Sequence, residues 1–160
     1  MVLTKKLIEA VRSKYQLDWN GIHGVAHWAR VKLNGSILAK HYPGANLKVI
    51  HLFAFVHDSC RLNDGSDIGH GERASNFAQE LNDKGIIELN DTELGILKFA
   101  CRFHTHGDTR ADITTQICWD SDRLDLGRVG IKPDVKYLCT EAAKHDIIIT
   151  QSYKRSIGFK

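Results

Sequence analysis

Residues 53–60, FAFVHDSC, pass from four apolar side chains directly to His57 and Asp58. A carboxylate and an imidazole at the end of so apolar a segment need partners, because a buried charge left unpaired is expensive. The chemistry open to such a pair is hydrogen bonding within the core or coordination of a cation.

Further candidates recur along the chain, which holds nine histidines. His23, His27, Arg30 and Asn34 are spaced i, i+4, i+7 and i+11 and so share one stripe of a helix. Taken alone, a polar stripe is ordinarily a solvent face. His70 continues the stripe of Ala74, Phe77 and Leu81, and His104 that of Leu94, Leu97 and Cys101, so both rings are expected to point inward. One inward histidine is more often a hydrogen-bonded core residue than a ligand. Several on different helices, beside His57 and Asp58, point to a shared metal site. In WDSDRLD, Asp120, Asp122 and Asp125 crowd around Arg123, which by itself reads as solvated charge with one salt bridge.

Helices must position these groups. Only Pro43 and Pro133 interrupt the chain, and apolar spacings of three and four predominate, so an all-α fold of six to eight helices is expected. Leu3, Leu7, Ile8 and Val11 mark a first helix, and a second runs from about Ile22 to about His41, where YPGAN breaks it. A third starts near Asn46 and has almost no polar face, as befits a buried central helix. The fourth covers roughly 70–83. The fifth begins at Asn90 or Asp91 and runs to His104. ITTQICWDSDRLDLGRVG forms a sixth helical stretch, and Pro133 opens a seventh, PDVKYLCTEAAKHD.

Size and composition narrow the class. The 160 residues suit a single domain with its own core, and 42% hydrophobic with 26% charged residues is ordinary globular composition. A net charge of +3 arises partly from Lys154, Arg155 and Lys160 in the tail SYKRSIGFK rather than from a dense basic stripe, which is only weak evidence for nucleic acid, so no nucleic-acid partner is expected. No segment approaches a membrane span and the N-terminus lacks a signal-peptide core, so a cytoplasmic protein with no membrane partner is expected. Cys60, Cys101, Cys118 and Cys139 form no CxxC, which excludes a zinc ribbon and suits a reducing compartment.

His27 in HGVAHWARV, the His57-Asp58 doublet, and Asp122 in DSDRLDLGRVG resemble, in order and separation, the motifs of the HD-domain metal-dependent phosphohydrolases. The resemblance spans about His23 to Gly130, within one HD-like domain whose motif-bearing core is about 20–130. It implies that His27, His57, Asp58 and Asp122 ligate a divalent metal ion. Asp122 is preferred to Asp120 because Arg123 and Leu124 follow it as the family pattern requires. The mixed N/O set suits Mn, Fe, Co, Ni, Zn or Mg. The activity implied is hydrolysis of a phosphoester of a small phosphorylated metabolite, most plausibly a nucleotide, by a metal-activated water. The alternative is a non-catalytic HD-like module that binds metal or nucleotide for sensing.

On the same resemblance, His70 and His104 line the phosphate pocket or bind a second metal, with pocket lining favoured, and are candidate catalytic groups together with Arg30. Arg30, Arg73 and Arg123 are candidates to hold phosphate oxygens, since guanidinium offers a planar donor fork. His23 is a candidate substrate contact or a donor to a ligand. Trp28 and Trp119 could stack a base, although at helical spacing they are more often core. A homo-oligomer is compatible with the composition.

Overall fold

The computed structural model describes residues 2–158, and these are helical or irregular, with no strand among them. The α-helices are α1 (Lys5–Lys14), α2 (Val25–Ala39), α3 (Leu47–Val56), α4 (His70–Asp83), α5 (Asp91–Phe103), α6 (Ile113–Arg123) and α7 (Asp146–Ser156). Short 3-10 turns follow α6 at Leu126–Val129 and Val135–Tyr137. The all-α expectation is met.

Side chains fix where several of these helices begin. The Asn46 side chain accepts from Val49 N and starts α3, while Asn90 and Glu93 form a reciprocal capping box on α5. From its cap, α3 runs through the middle of the molecule. Val49, Ile50, Leu52, Phe53, Ala54, Phe55 and Val56 are all buried, and α3 packs on α2, α4, α5 and α6. An apolar helix covered on every side is the expected solution for such a segment. Its C-terminal end therefore opens into the interior rather than into water.

Close approaches bring the neighbouring helices to that end. A Cβ on Gly35 would lie 2.4 Å from Ile50 Cγ2, so α2 and α3 need glycine where they cross. At Gly71 a Cβ would lie 2.7 Å from the carbonyl oxygens of both Cys101 and Arg102. That contact seats the start of α4, and with it His70, against the end of α5, where His104 sits.

Three expectations about the elements are corrected. The second helix starts at Val25, not Ile22, because the Gly21 and Gly24 amides are taken by a turn over Asp18 and Gly21; His23 lies in that turn rather than on the helical stripe. The sixth stretch breaks after Arg123 and resumes only as a 3-10 turn. No seventh helix starts at Pro133. The buried Asp120 carboxylate accepts from Cys139 N at 2.7 Å and from Thr140 N at 2.8 Å, and holds that segment out of helical form. The last helix lies further on, where the Ile147–Ile149 run hides helical periodicity. It is anchored by Arg155, which donates to Asn34 Oδ1 on α2 at 2.9 Å. The SYKRSIGFK segment is thus largely folded, while Phe159 and Lys160 lie outside the described residues.

Trp28 and Trp119 are sealed in the core, at 0% and 1% exposure, and neither can present a face to a base. All four cysteines are free, and no helix among the described residues is long and apolar enough to cross a membrane.

Gly71→Ala is expected to cost about 1–3 kcal/mol through overpacking against α5. Gly95→Ala, at an exposed α5 position with nothing within 4 Å of the new methyl, is expected to gain up to about 1 kcal/mol. Urea denaturation of the two variants measures both.

Candidate metal centre

His57 caps the C-terminus of α3, its ring stacked on Phe53 with centroids 4.7 Å apart. Its Nδ1 donates to the Phe53 carbonyl at 3.0 Å. His27, on α2, donates from Nδ1 to Asp125 Oδ2 at 2.7 Å. A neutral imidazole has one N–H, and both rings spend it on Nδ1, so each keeps an Nε2 lone pair. Those two Nε2 atoms face each other at 3.1 Å. Asp58 Oδ2 lies 3.6 Å from His27 Nε2 and 3.7 Å from His57 Nε2, and Asp122 Oδ1 lies 3.4 and 3.7 Å from the same two atoms.

Four electron-rich atoms thus converge in a buried space without a proton to share among them. Among the described residues, none makes a hydrogen bond to Asp122 Oδ1. Ligand bonds of about 2.1 Å put neighbouring donors about 3.0–3.4 Å apart in octahedral or tetrahedral geometry, which is close to the spacing seen here. His27, His57 and Asp58 form a group that could hold a divalent cation, and Asp122, which reaches the same two ring nitrogens, forms another with His57 and His104. The four converging residues come from α2, the end of α3 and α6.

Asp58 presents its other oxygen to a second group. Oδ1 is 3.1 Å from His70 Nε2 and 3.6 Å from His104 Nε2, and those two nitrogens are 2.9 Å apart. Here too Nδ1 is spent on a carbonyl, of Asp67 for His70 and of Cys101 at 2.6 Å for His104. Asp58, His70 and His104 form a further group that could hold an ion, and His104 also lines the cavity described below. His23 is buried beside the ligands, with Nδ1 3.0 Å from Asp58 Oδ2 and Nε2 3.3 Å from the Asp64 carbonyl oxygen.

The electrostatics favour ligand forms. Burial, followed by the charge of Arg128, lowers the His27 pKa to about 4, which leaves its imidazole neutral near pH 7. Burial pushes Asp58 the other way, but the imidazoles packed around its two oxygens, His57 first and then His104, His23 and His70, hold it well below the usual carboxylate range.

The arginines sort differently from expectation. Arg30 does not reach out for phosphate. Its Nε and Nη2 clamp Asp125 at 2.6 and 3.1 Å, and Asp125 in turn orients His27. Arg73 is kept from the cluster by Cys60 O and Asp67, and Glu72 pairs with Arg102 at the surface. Arg123 does line a cavity of about 300 Å³ that opens onto the cluster, with Asp58, His104 and Asp122 in its wall. Two arginines not singled out from the sequence line it too: Arg61, 3.5 Å from Asp58 Oδ1, and Arg128, 3.7 Å from Asp122 Oδ1. Larger depressions of about 480 and 620 Å³ lie elsewhere and contain none of the cluster residues.

Asp120, Asp122 and Asp125 are not the solvated charges that local sequence suggests. Asp120 ties down the 139–140 segment, Asp122 faces the cluster, and Asp125 supports His27. The spacing of Asp125, three residues after Asp122 and so on a similar side of the chain, was the available signal for it. Arg61 carried the same signal, three residues after Asp58.

No family model matches the sequence, and a comparison with curated proteins yields no match. Among solved structures, the chain is similar to the crystal structure of a "predicted HD superfamily hydrolase" from an uncultured Thermotogales bacterium. The TM-score is 0.70 at 24% identity, over 97% of this chain and 87% of that one. The chain has the HD-domain fold. His57 and Asp58 stand at the end of the central helix of that fold.

Addition of Mn²⁺ or Zn²⁺ at about 100 times Kd is expected to stabilise this HD domain by about 2.7 kcal/mol, a thermal shift of roughly 5–10 °C. Asp58→Ala should abolish the shift. Asp125→Asn should keep the fold and weaken metal binding about 10- to 100-fold by loosening His27. Calorimetric metal titration of both variants measures these effects.

Proposed function

We propose that the protein is a metal-dependent phosphohydrolase acting on a small phosphorylated metabolite. The observation that carries this reading is the meeting of proton-free ligand atoms with a cavity whose wall also holds Arg61, Arg123 and Arg128. His27, His57 and Asp122 would hold one cation and His70 and His104 a second, with Asp58 shared through its two oxygens. A divalent ion there would supply a water of lowered pKa and neutralise charge on the phosphoryl oxygens.

The chain's own groups do the rest. Arg61 and Arg128 lie beside the ligand carboxylates and can meet phosphoryl oxygens without leaving their supports, Gly65 O for Arg61 at 2.7 Å and Ile22 O for Arg128 at 3.0 Å. Preorganised donors of this kind act most strongly where water is scarce. Arg30 acts through Asp125 to position His27 rather than by touching substrate. His104 stands in the cavity wall with His70 directly behind it. A nucleotide belongs to the substrate class. With Trp28 and Trp119 in the core, its base would have Tyr137 as the neighbour to stack on in the cavity wall.

Phosphate release is the test, across nucleoside phosphates, sugar phosphates and p-nitrophenyl phosphate with Mn²⁺, Mg²⁺, Co²⁺ or Zn²⁺ added. Turnover of at least one substrate is expected, abolished by chelation and lowered at least about 100-fold in His57→Ala, with about two ions bound per chain. A metal-loaded protein that turns over nothing supports the alternative of an HD-like sensor.

A further inference from the structure

Arg61 and Arg128 have carboxylates within reach: Asp58 for the first, Asp122 and Asp125 for the second. Arg123 has none among the described residues. It is nonetheless only 7% exposed, and its Nη2 is buried without a hydrogen-bond acceptor. The side chain is not free to swing into water. Nη1 donates to Tyr137 O at 2.6 Å and to Cys139 Sγ at 3.4 Å, and the guanidinium lies 5.5 Å from the centre of the Trp119 ring. A buried cation held in place with a donor unspent calls for an acceptor, and an anionic one would also offset its charge.

The cavity shows where that acceptor would come from. Arg123 lines the same space of about 300 Å³ as Asp58, His104 and Asp122, and Leu126 and Tyr137 are also in its wall. Arg61 and Arg128 are balanced by the cluster's own carboxylates, so cations bound there would leave positive charge for a phosphoryl group. Arg123 lies outside that balance and adds a further, separate positive charge. A volume near the lower end of the range for ligand pockets also leaves little room for a bulky substituent.

We propose that the substrate is a compact phosphate ester carrying a second acidic group, a carboxylate or another phosphate, which Arg123 receives while the scissile phosphate faces the histidine-aspartate cluster. This rests on the phosphohydrolase reading for which end reacts, but the recognition of two anions does not depend on turnover. Arg123 is a specificity residue here and takes no part in bond breaking.

The test compares two probes with the same three-carbon skeleton, 3-phosphoglycerate and glycerol 3-phosphate, of which only the first has a carboxylate. Each is titrated calorimetrically into the manganese-loaded full chain, and phosphate release is measured in parallel. 3-Phosphoglycerate is expected to bind about 10- to 100-fold more tightly, the range of one charge-assisted hydrogen bond, and Arg123→Gln to bring the ratio close to one. Arg123→Lys should restore part of the preference if the charge is what matters. Equal affinities in the wild type overturn the proposal without recourse to any variant, and so does a ratio that Arg123→Gln leaves intact. Selective binding with no phosphate release from any substrate would overturn the hydrolase reading and leave this one standing.

Discussion

Asp58 is a buried carboxylate whose two oxygens look in opposite directions, one toward His23, His27 and His57 and the other toward His70, His104 and Arg61. No single side chain could satisfy such a group in the interior, and an isolated carboxylate there would take up a proton instead. The helices around it are arranged so that this does not happen. The end of α3 supplies the carboxylate, α2 and the turn before it supply His27 and His23, and α4 and α5 bring His70 and His104 from the other side. The tight crossings at Gly35 and Gly71 belong to the same requirement, since the rings reach Asp58 only if α2 and α4 approach their neighbours closely.

Around the ligands runs a layer whose work is to aim them. Phe53 O, Asp125, Asp67 O and Cys101 O each take the Nδ1 proton of one histidine, and so turn four Nε2 lone pairs inward. Arg30 and Asp120 belong to this supporting layer although neither faces the cavity. Arg30 fixes Asp125, and Asp120 pins the 139–140 segment, next to the Tyr137 carbonyl and Cys139 sulfur that hold Arg123. Rigid support of this kind separates a site that can bind a cation from a mere collection of polar residues.

The all-helical class and the bounds of α3, α4 and α5 were legible in the chain, because caps at Asn46 and Asn90 and regular apolar stripes are local signals. So was the set of His27, His57, Asp58 and Asp122, through motif order, and the inward direction of His70 and His104, through continuation of core stripes. The roles of the arginines were not legible. Arg30, Arg73 and Arg123 look alike as donors, and what distinguishes them is whether Asp125, Asp67 or no carboxylate stands opposite, which are contacts made largely between separate elements. The same holds for 133–156, where a proline start signal lost to long-range hydrogen bonds from Asp120 and a β-branched run concealed a helix.

The sequence by itself thus determined the helical class, the buried central helix and the residue types able to meet a cation, since these follow from periodicity, capping and side-chain chemistry. Only the tertiary structure decided which lone pairs face one another, which carboxylates are already neutralised and which guanidinium is left unmatched. Those properties depend on distances of a few ångströms between residues up to about a hundred positions apart in the chain, such as His27 and Asp125, and periodicity carries no information about them.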